Sequence, residues 1–152
     1  MTDLALRWDN GIFGADLALH GASLATDEGL KTAVIVSLFT DARARDDDHL
    51  PAPGDRRGWW GDALPAIAGD RIGSRLWLLN REKRLASVVG RARDYAREAL
   101  AWLIADGIAK TVEVEAAAIG ADVLAIGVEI TRPDGPGRQR FDLTWERTPD
   151  AL

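Results

Sequence analysis

Leu85-Ala86-Ser87-Val88-Val89-Gly90-Arg91-Ala92-Arg93-Asp94-Tyr95-Ala96-Arg97-Glu98-Ala99-Leu100-Ala101-Trp102 is the stretch on which the fold turns. Leu85, Val88, Ala92, Tyr95, Ala99 and Trp102 recur at alternating steps of three and four, the spacing that lays one apolar stripe along an α-helix. Arg84, Arg91, Arg93, Arg97 and Glu98 fall off that stripe, and Asp106-Gly107 supplies a stop, glycine being favoured just past a helix end. The spacing predicts one long amphipathic helix whose buried seam must be covered by another layer.

Downstream the period changes from helical to alternating. Residues 111–115 place Val112 and Val114 on one face, residues 123–130 carry Leu124, Ile126, Val128 and Ile130, and Phe141, Leu143 and Trp145 alternate with Arg140, Asp142 and Thr144. Pro133-Asp134-Gly135-Pro136-Gly137 reads as a tight connection between the last two. The expected architecture is α+β: a small antiparallel sheet of about three strands packed by two helices.

Upstream, residues 44–62 contain Asp46-Asp47-Asp48, two prolines and three glycines, and predict a long loop. Its two adjacent tryptophans, Trp59 and Trp60, are costly to leave in solvent. Before it, Thr26-Asp27-Glu28 offers N-cap and first-turn acids ahead of an apolar run, predicting a helix that ends near Arg43, although Val34-Ile35-Val36 would also suit a strand. Leu4, Leu6 and Trp8 alternate before Asp9-Asn10-Gly11, and residues 15–19 alternate again, so residues 1–22 read as an N-terminal hairpin or arm. The 152 residues fit a single domain spanning 1–152.

Composition removes whole classes of chemistry. No cysteine means no disulfide framework, thiol nucleophile or thiolate zinc site, and only His20 and His49 supply imidazole. No cofactor or metal is expected. A formal charge of −5 argues against nucleic acid as partner. The N-terminus lacks the pattern of a signal peptide, and the charge-free run 32–40 is far short of the ~20 apolar residues a membrane helix needs. The expectation is a chain made in the cytoplasm, with no membrane partner.

Each catalytic arrangement has a plainer reading beside it. Asp46-Asp47-Asp48-His49 lacks the alternating spacing of a calcium loop and reads as a solvated turn. Asp55 and Asp62 bracket Gly58-Trp59-Trp60-Gly61, but a glycosidase needs two facing carboxyls, and paired loop aspartates are more often turn residues. No serine sits in a Gly-x-Ser-x-Gly elbow, and Gly69-Asp70-Arg71-Ile72-Gly73-Ser74 has no lysine to serve a phosphate loop. Trp77 and Trp102 read as core. Trp59 and Trp60 cannot point the same way from adjacent positions, so one can serve a partner, tryptophan being a frequent interface anchor. The unpaired edges of a small sheet are a second docking surface.

One string is specific. Asp55-Arg56-Arg57-Gly58-Trp59-Trp60-Gly61-Asp62, followed by Gly73-Ser74-Arg75-Leu76-Trp77-Leu78-Leu79, resembles the baseplate proteins of Mu-like phages, the family named after gene product 46 of phage Mu. The likeness extends to Gly29-Leu30-Lys31-Thr32-Ala33-Val34-Ile35-Val36-Ser37-Leu38-Phe39-Thr40-Asp41 and to Tyr95-Ala96-Arg97-Glu98-Ala99-Leu100-Ala101-Trp102-Leu103. It implies a distant similarity to the small wedge proteins of contractile tails, of the T4 gene product 25 type. The resemblance further implies a non-enzymatic wedge subunit, present in several copies, that binds other wedge proteins and the tail sheath subunit and helps initiate sheath assembly.

The expected partner contacts in the loop are Trp59, Trp60 and Asp62, from the interface chemistry of tryptophan. The resemblance implies strand sharing between neighbours, through residues 111–115 and 140–146 (Arg140, Asp142 and Thr144 on the last), with residues 4–8 as an arm. No catalytic residue is expected. The Glu-Pro-Arg string that the wider group carries after the long helix is replaced by Ala105-Asp106-Gly107-Ile108, so contacts made by that string are not carried over. The rival reading, from a lysozyme label in the wider group, is a peptidoglycan-cleaving enzyme using Glu98 with Asp62 or Asp106. It is disfavoured because Glu98 lies on the solvent side of the predicted helix.

Overall fold

A computed structural model of the chain describes residues 3–27, 30–134 and 137–147. The N-terminal part is more than one hairpin. Residues 3–27 make three antiparallel ribbons: β1 (Asp3–Leu4) pairs with β6 (Thr26–Asp27), β2 (Leu6–Asp9) with β3 (Gly14–Leu17), and β4 (Leu19–His20) with β5 (Ser23–Leu24). They meet at three alanines. Ala5 N–H donates to the Ala25 carbonyl (2.9 Å), Ala25 N–H to Ala18 (2.8 Å), and Ala18 N–H back to Ala5 (2.8 Å).

This three-arm junction is tied to the body by Thr32, whose hydroxyl accepts from Leu6 N–H and donates to the Leu4 carbonyl, each at 3.0 Å. Trp8 stacks on Phe39 with ring centroids 3.8 Å apart.

Helix α1 (Lys31–Phe39) is shorter at both ends than its sequence suggests. Thr26 and Asp27 do not cap it, because their backbone is taken up in pairing with Leu4 and Asp3; Glu28 lies outside the described residues. Leu30 occupies the N-cap with no side-chain hydrogen bond. At the other end residues 40–42 turn extended to run beside Ser74: Ser74 N–H donates to Thr40 (2.8 Å) and Ala42 N–H to Ser74 (2.9 Å). Gly73 makes that approach possible, with φ of +102° and the Thr40 carbonyl oxygen only 2.5 Å from where a Cβ would stand.

After the long connection, a 3-10 helix over Leu76–Arg81 buries Leu76, Trp77, Leu78 and Leu79, in line with the core role expected of Trp77. The helix predicted from Leu85 to Trp102 forms in three pieces: a 3-10 turn (Leu85–Val88), α2 (Val89–Ala99) and α3 (Ala101–Ala105), with the break at Leu100. The buried stripe runs through Leu85, Val88, Ala92, Ala96, Ala99, Leu100 and Leu103. Tyr95 and Trp102 lie half-buried at its flanks, where Arg75 stacks on the Tyr95 ring and the Trp102 indole N–H reaches Ser37. The three buried alanines let α2 sit close against the sheet.

That sheet is β7 (Thr111–Ala118), β8 (Val123–Thr131) and β9 (Arg138–Glu146), antiparallel in the order β7-β8-β9. Val114 lies opposite Val128, which lies opposite Phe141. Leu124, Ile126, Val128 and Ile130 of the central strand are all but fully buried beneath the helices, each contributing roughly 1.5–3 kcal/mol. A one-residue slip would turn all four outward, so the alternation fixes the register. The architecture is α+β, with a three-stranded antiparallel sheet covered on one face by helices. Both outer strands begin or end a few residues beyond the alternating runs. Residues 135–136 of the connection between β8 and β9 lie outside the described set.

Candidate partner-docking site

The Asp-Arg-Arg-Gly-Trp-Trp-Gly-Asp string builds a platform. Asp55 accepts from Arg57 N–H at 3.1 Å and from its guanidinium at 3.4 Å, while Arg57 also reaches Asp41 at 2.9 Å and lies 4.7 Å over the Trp77 ring. Burial pulls the Arg57 pKa down, and the hydrogen bonds and charges of Asp41 and Asp55 more than offset this, leaving it above its ordinary value. Trp77 in turn donates to the Ala42 carbonyl at 2.7 Å. The arginine thus pins the loop to a buried tryptophan.

The next four residues stand out from the body. Gly58 has a φ of +110°, and a Cβ there would lie 2.9 Å from Arg43 Cβ. Trp60–Ala63 is a 3-10 turn; Asp62 N–H closes onto the Trp59 carbonyl (3.1 Å), and Asp62 Oδ1 accepts from Ile72 N–H at 3.2 Å. Trp59 and Trp60 lie with ring centroids 5.4 Å apart and planes tilted by 46°. Trp59 is 45% exposed, Trp60 82% and Leu64 90%. The two rings thus lie against each other in place of pointing apart, and Trp60 is the more outward one.

Behind them lies a groove of about 490 Å³ between this loop and α1. Its apolar walls include Ala33, Val36, Trp59, Leu64, Ile72 and Trp102, and Asp62, Asp70, Arg71 and Asp106 supply charge. Trp102 is held by a 3.0 Å hydrogen bond from its indole N–H to Ser37 Oγ. Sequence reasoning missed the groove. Its signal was the uncharged run Ala63-Leu64-Pro65-Ala66-Ile67-Ala68 directly after the tryptophans, together with the uncharged length of α1.

The other expected contact residues lie elsewhere, on the sheet face turned away from the helices. Arg140 bonds Asp142 at 3.0 Å and Glu115 at 3.2 Å, crossing Gly127, where a Cβ would meet its guanidinium at 2.7 Å. Hydrogen bonding to Asp142 is the chief reason the Arg140 pKa stands above its ordinary value. Thr144 is already engaged: Asn10 Oδ1 accepts from its N–H (3.1 Å) and hydroxyl (2.9 Å), and Trp8 donates to its carbonyl at 3.2 Å. Backbone groups of Arg140 and Asp142 share that outward parity along the β9 edge and carry no such cover among the described residues.

The acidic run is an exposed turn at Asp46 and Asp47, as its sequence suggests, and only Asp48 is drawn in. Asp48 accepts from Arg75 at 2.6 Å and from Arg45 N–H at 2.7 Å, and Asp46 pairs with Arg56. Arg75, its side chain 11% exposed, also bonds Glu98 at 2.7 Å and lies 4.6 Å over Tyr95. Burial lowers the Arg75 pKa, and its ion pairs to Glu98 and Asp48 more than offset this and raise it. Glu98 receives Arg45 on its other oxygen at 2.8 Å. Both Glu98 oxygens therefore accept from guanidiniums, and Glu98 does not line the groove that Asp62 and Asp106 share. Among the described residues no three His, Cys, Asp or Glu side chains are grouped to hold a metal, and no helix is long and apolar enough to cross a membrane.

Residues 30–137 match the family described as phage protein GP46. Baseplate protein gp46 of Escherichia phage Mu is 48% identical over 137 residues, which is 89% of this chain and 90% of the relative. Mu-like prophage FluMu protein gp46 of Haemophilus influenzae is 42% identical over 146 residues, 95% of this chain and 98% of the relative. The Gly-Trp-Trp-Gly-Asp platform, set on its Arg57–Trp77 anchor, is thus part of a chain that belongs to the Mu-like phage protein GP46 family.

Proposed function

We propose that the protein is a structural subunit of a contractile phage tail baseplate, a wedge protein that binds other wedge proteins and helps initiate the tail sheath. The observation that carries the baseplate role is 48% identity, over nine-tenths of both chains, to a protein named a baseplate protein of phage Mu. The finer reading as a wedge that contacts sheath rests on the resemblance to the T4 gene product 25 type. It is supported by two surfaces fit for partners. Trp60 stands almost free of the body, and the β9 edge at Arg140 and Asp142 offers backbone groups for strand addition. The chain is made in the host cytoplasm, works without a cofactor, and enters the virion tail in several copies as one domain.

Co-expression with the wedge and sheath proteins encoded beside it tests the reading. A stable complex that survives purification and is weakened by Trp60→Ala or by changes at Arg140 and Asp142 supports it. Absence of any complex, together with clearing of a peptidoglycan suspension that depends on Glu98 or Asp62, overturns it in favour of an enzyme.

A further inference from the structure

We infer that the groove between α1 and the tryptophan loop receives a basic amphipathic helix from a different baseplate subunit. The inference rests on the baseplate role proposed above and specifies the chemistry of one partner. The first observation is α1 itself. It carries no charge between Lys31 and Asp41, and a helix apolar on all sides is expected to be covered on all sides. Its core flank, Val34, Ile35 and Leu38, is buried. Its other flank, Ala33 and Val36, is only half covered and forms one wall of the groove. Opposite stand Trp59, its ring folded over Gly61, and the exposed Leu64.

The second observation is charge. Asp62, Asp70 and Asp106 line the groove against the single cation Arg71, a local excess of carboxylate. The carboxylates of the adjoining loop and helix face, Asp41, Asp46, Asp48, Asp55 and Glu98, are each matched by an arginine, while among the described residues Asp47, Glu113 and Glu146 lie singly on other surfaces. Among the described residues the side chains of Asp70 and Asp106 make no ion pair or hydrogen bond, so the groove keeps carboxylates for a cation from outside. None of its lining residues belongs to a sheet strand, so strand addition is not available there. An apolar groove with no free strand edge suits side-chain anchors spaced three and four apart on a helix, and its carboxylates suit Lys or Arg beside them.

The test uses the full chain co-expressed with the baseplate proteins encoded beside it. p-Benzoylphenylalanine in place of Leu64, a position too exposed to matter to the fold, is photolysed in the complex and the cross-linked peptide sequenced. Separately, Asp70→Lys/Asp106→Lys is compared with the unsubstituted chain in complex stability at low and high salt, with circular dichroism as the check on folding. Asp70→Asn/Asp106→Asn serves if the reversal unfolds the chain. We expect a cross-link to another subunit within a Lys- or Arg-bearing amphipathic segment. The charge reversal should lose at least about tenfold in affinity at low salt, and the loss should shrink as salt screens it. A cross-link to an acidic or uncharged segment or only to a second copy of this chain, or a reversal without effect, overturns the inference while leaving the baseplate role standing. If the unsubstituted chain forms no complex, both fall together.

Discussion

The ring of Trp59 lies so close over Gly61 that a Cβ at residue 61 would stand 2.2 Å from two ring carbons. No side chain fits beneath the indole, and this contact sets the shape of the tryptophan platform. Gly61 is not in the left-handed region, so only the ring opposes a substitution. Gly61→Ala should therefore push Trp59 outward at a stability cost below about 1 kcal/mol, because the ring is already half exposed. Near-UV circular dichroism should change while thermal unfolding hardly moves. An unchanged spectrum would show that the ring does not rest there.

Gly73→Ala is the contrasting case. Here both the positive φ and the Thr40 carbonyl, 2.5 Å from the would-be Cβ, oppose the substitution, and backbone cannot swing aside as a side chain can. The expected loss is about 2–4 kcal/mol, read from urea unfolding. A loss under about 1 kcal/mol would mean that the pairing of Ser74 with residues 40–42 contributes little.

Trp60→Ala should separate folding from assembly. With the ring 82% exposed, monomer stability should change by no more than about 0.5 kcal/mol. Affinity for the partner baseplate protein should fall by about 2 kcal/mol, measured by titration of the purified proteins. Equal losses in both would make Trp60 a folding residue.

Ser37 and Trp102 form one hydrogen-bonded unit between α1 and α3. Ser37→Ala leaves the indole N–H without its acceptor and should cost about 1–2 kcal/mol, as should Trp102→Phe. The double variant should cost about 1 kcal/mol less than the sum of the two, as a double-mutant cycle will show. Strict additivity would show that the bond does not form in solution.

Tyr95 is the single tyrosine of the chain, so the phenolate absorbance reports one group. Burial raises its pKa above the ordinary value, with Arg75 and Arg91 pulling the other way. A raised folded-state pKa adds stability that is complete below the unfolded value of about 10 and is lost as pH rises through the folded one. The absorbance midpoint should lie above 10 in the native chain and return to about 10 in denaturant. A native midpoint at or below 10 contradicts the burial.

Legible in the sequence is whatever one face of one element decides. The alternation of Leu124, Ile126, Val128 and Ile130 needs no knowledge of its neighbours, and neither does the helical stripe through Leu85, Val88, Ala92 and Ala99, although Tyr95 and Trp102, read as part of it, stand at its flanks. Contacts between distant segments were hidden. Thr26-Asp27-Glu28 has the chemistry of a helix start, and only the pairing of β6 with β1 withdraws Thr26 and Asp27 from that role. Asp48 has the composition of a solvated turn until Arg75 arrives from 27 residues away. In the candidate site, the tryptophan string itself was legible. The groove was not, because its walls come from α1, from residues 59–72 and from Trp102.

The ring of hydrogen bonds among Ala5, Ala18 and Ala25 is made wholly of main-chain groups, each alanine donating to one neighbour and accepting from the other. Such a vertex asks only for small side chains, and it is indifferent to what hangs beyond it. The ribbon tip around His20 is free to lengthen or change character without disturbing the hub, whereas the tip that carries Asn10 is held by Thr144. The hub itself is all-or-none: withdrawing any one of the three segments leaves the other two with a broken circuit. In the three-stranded sheet tolerance is distributed the other way, because an inserted residue inverts every inside and outside position after it.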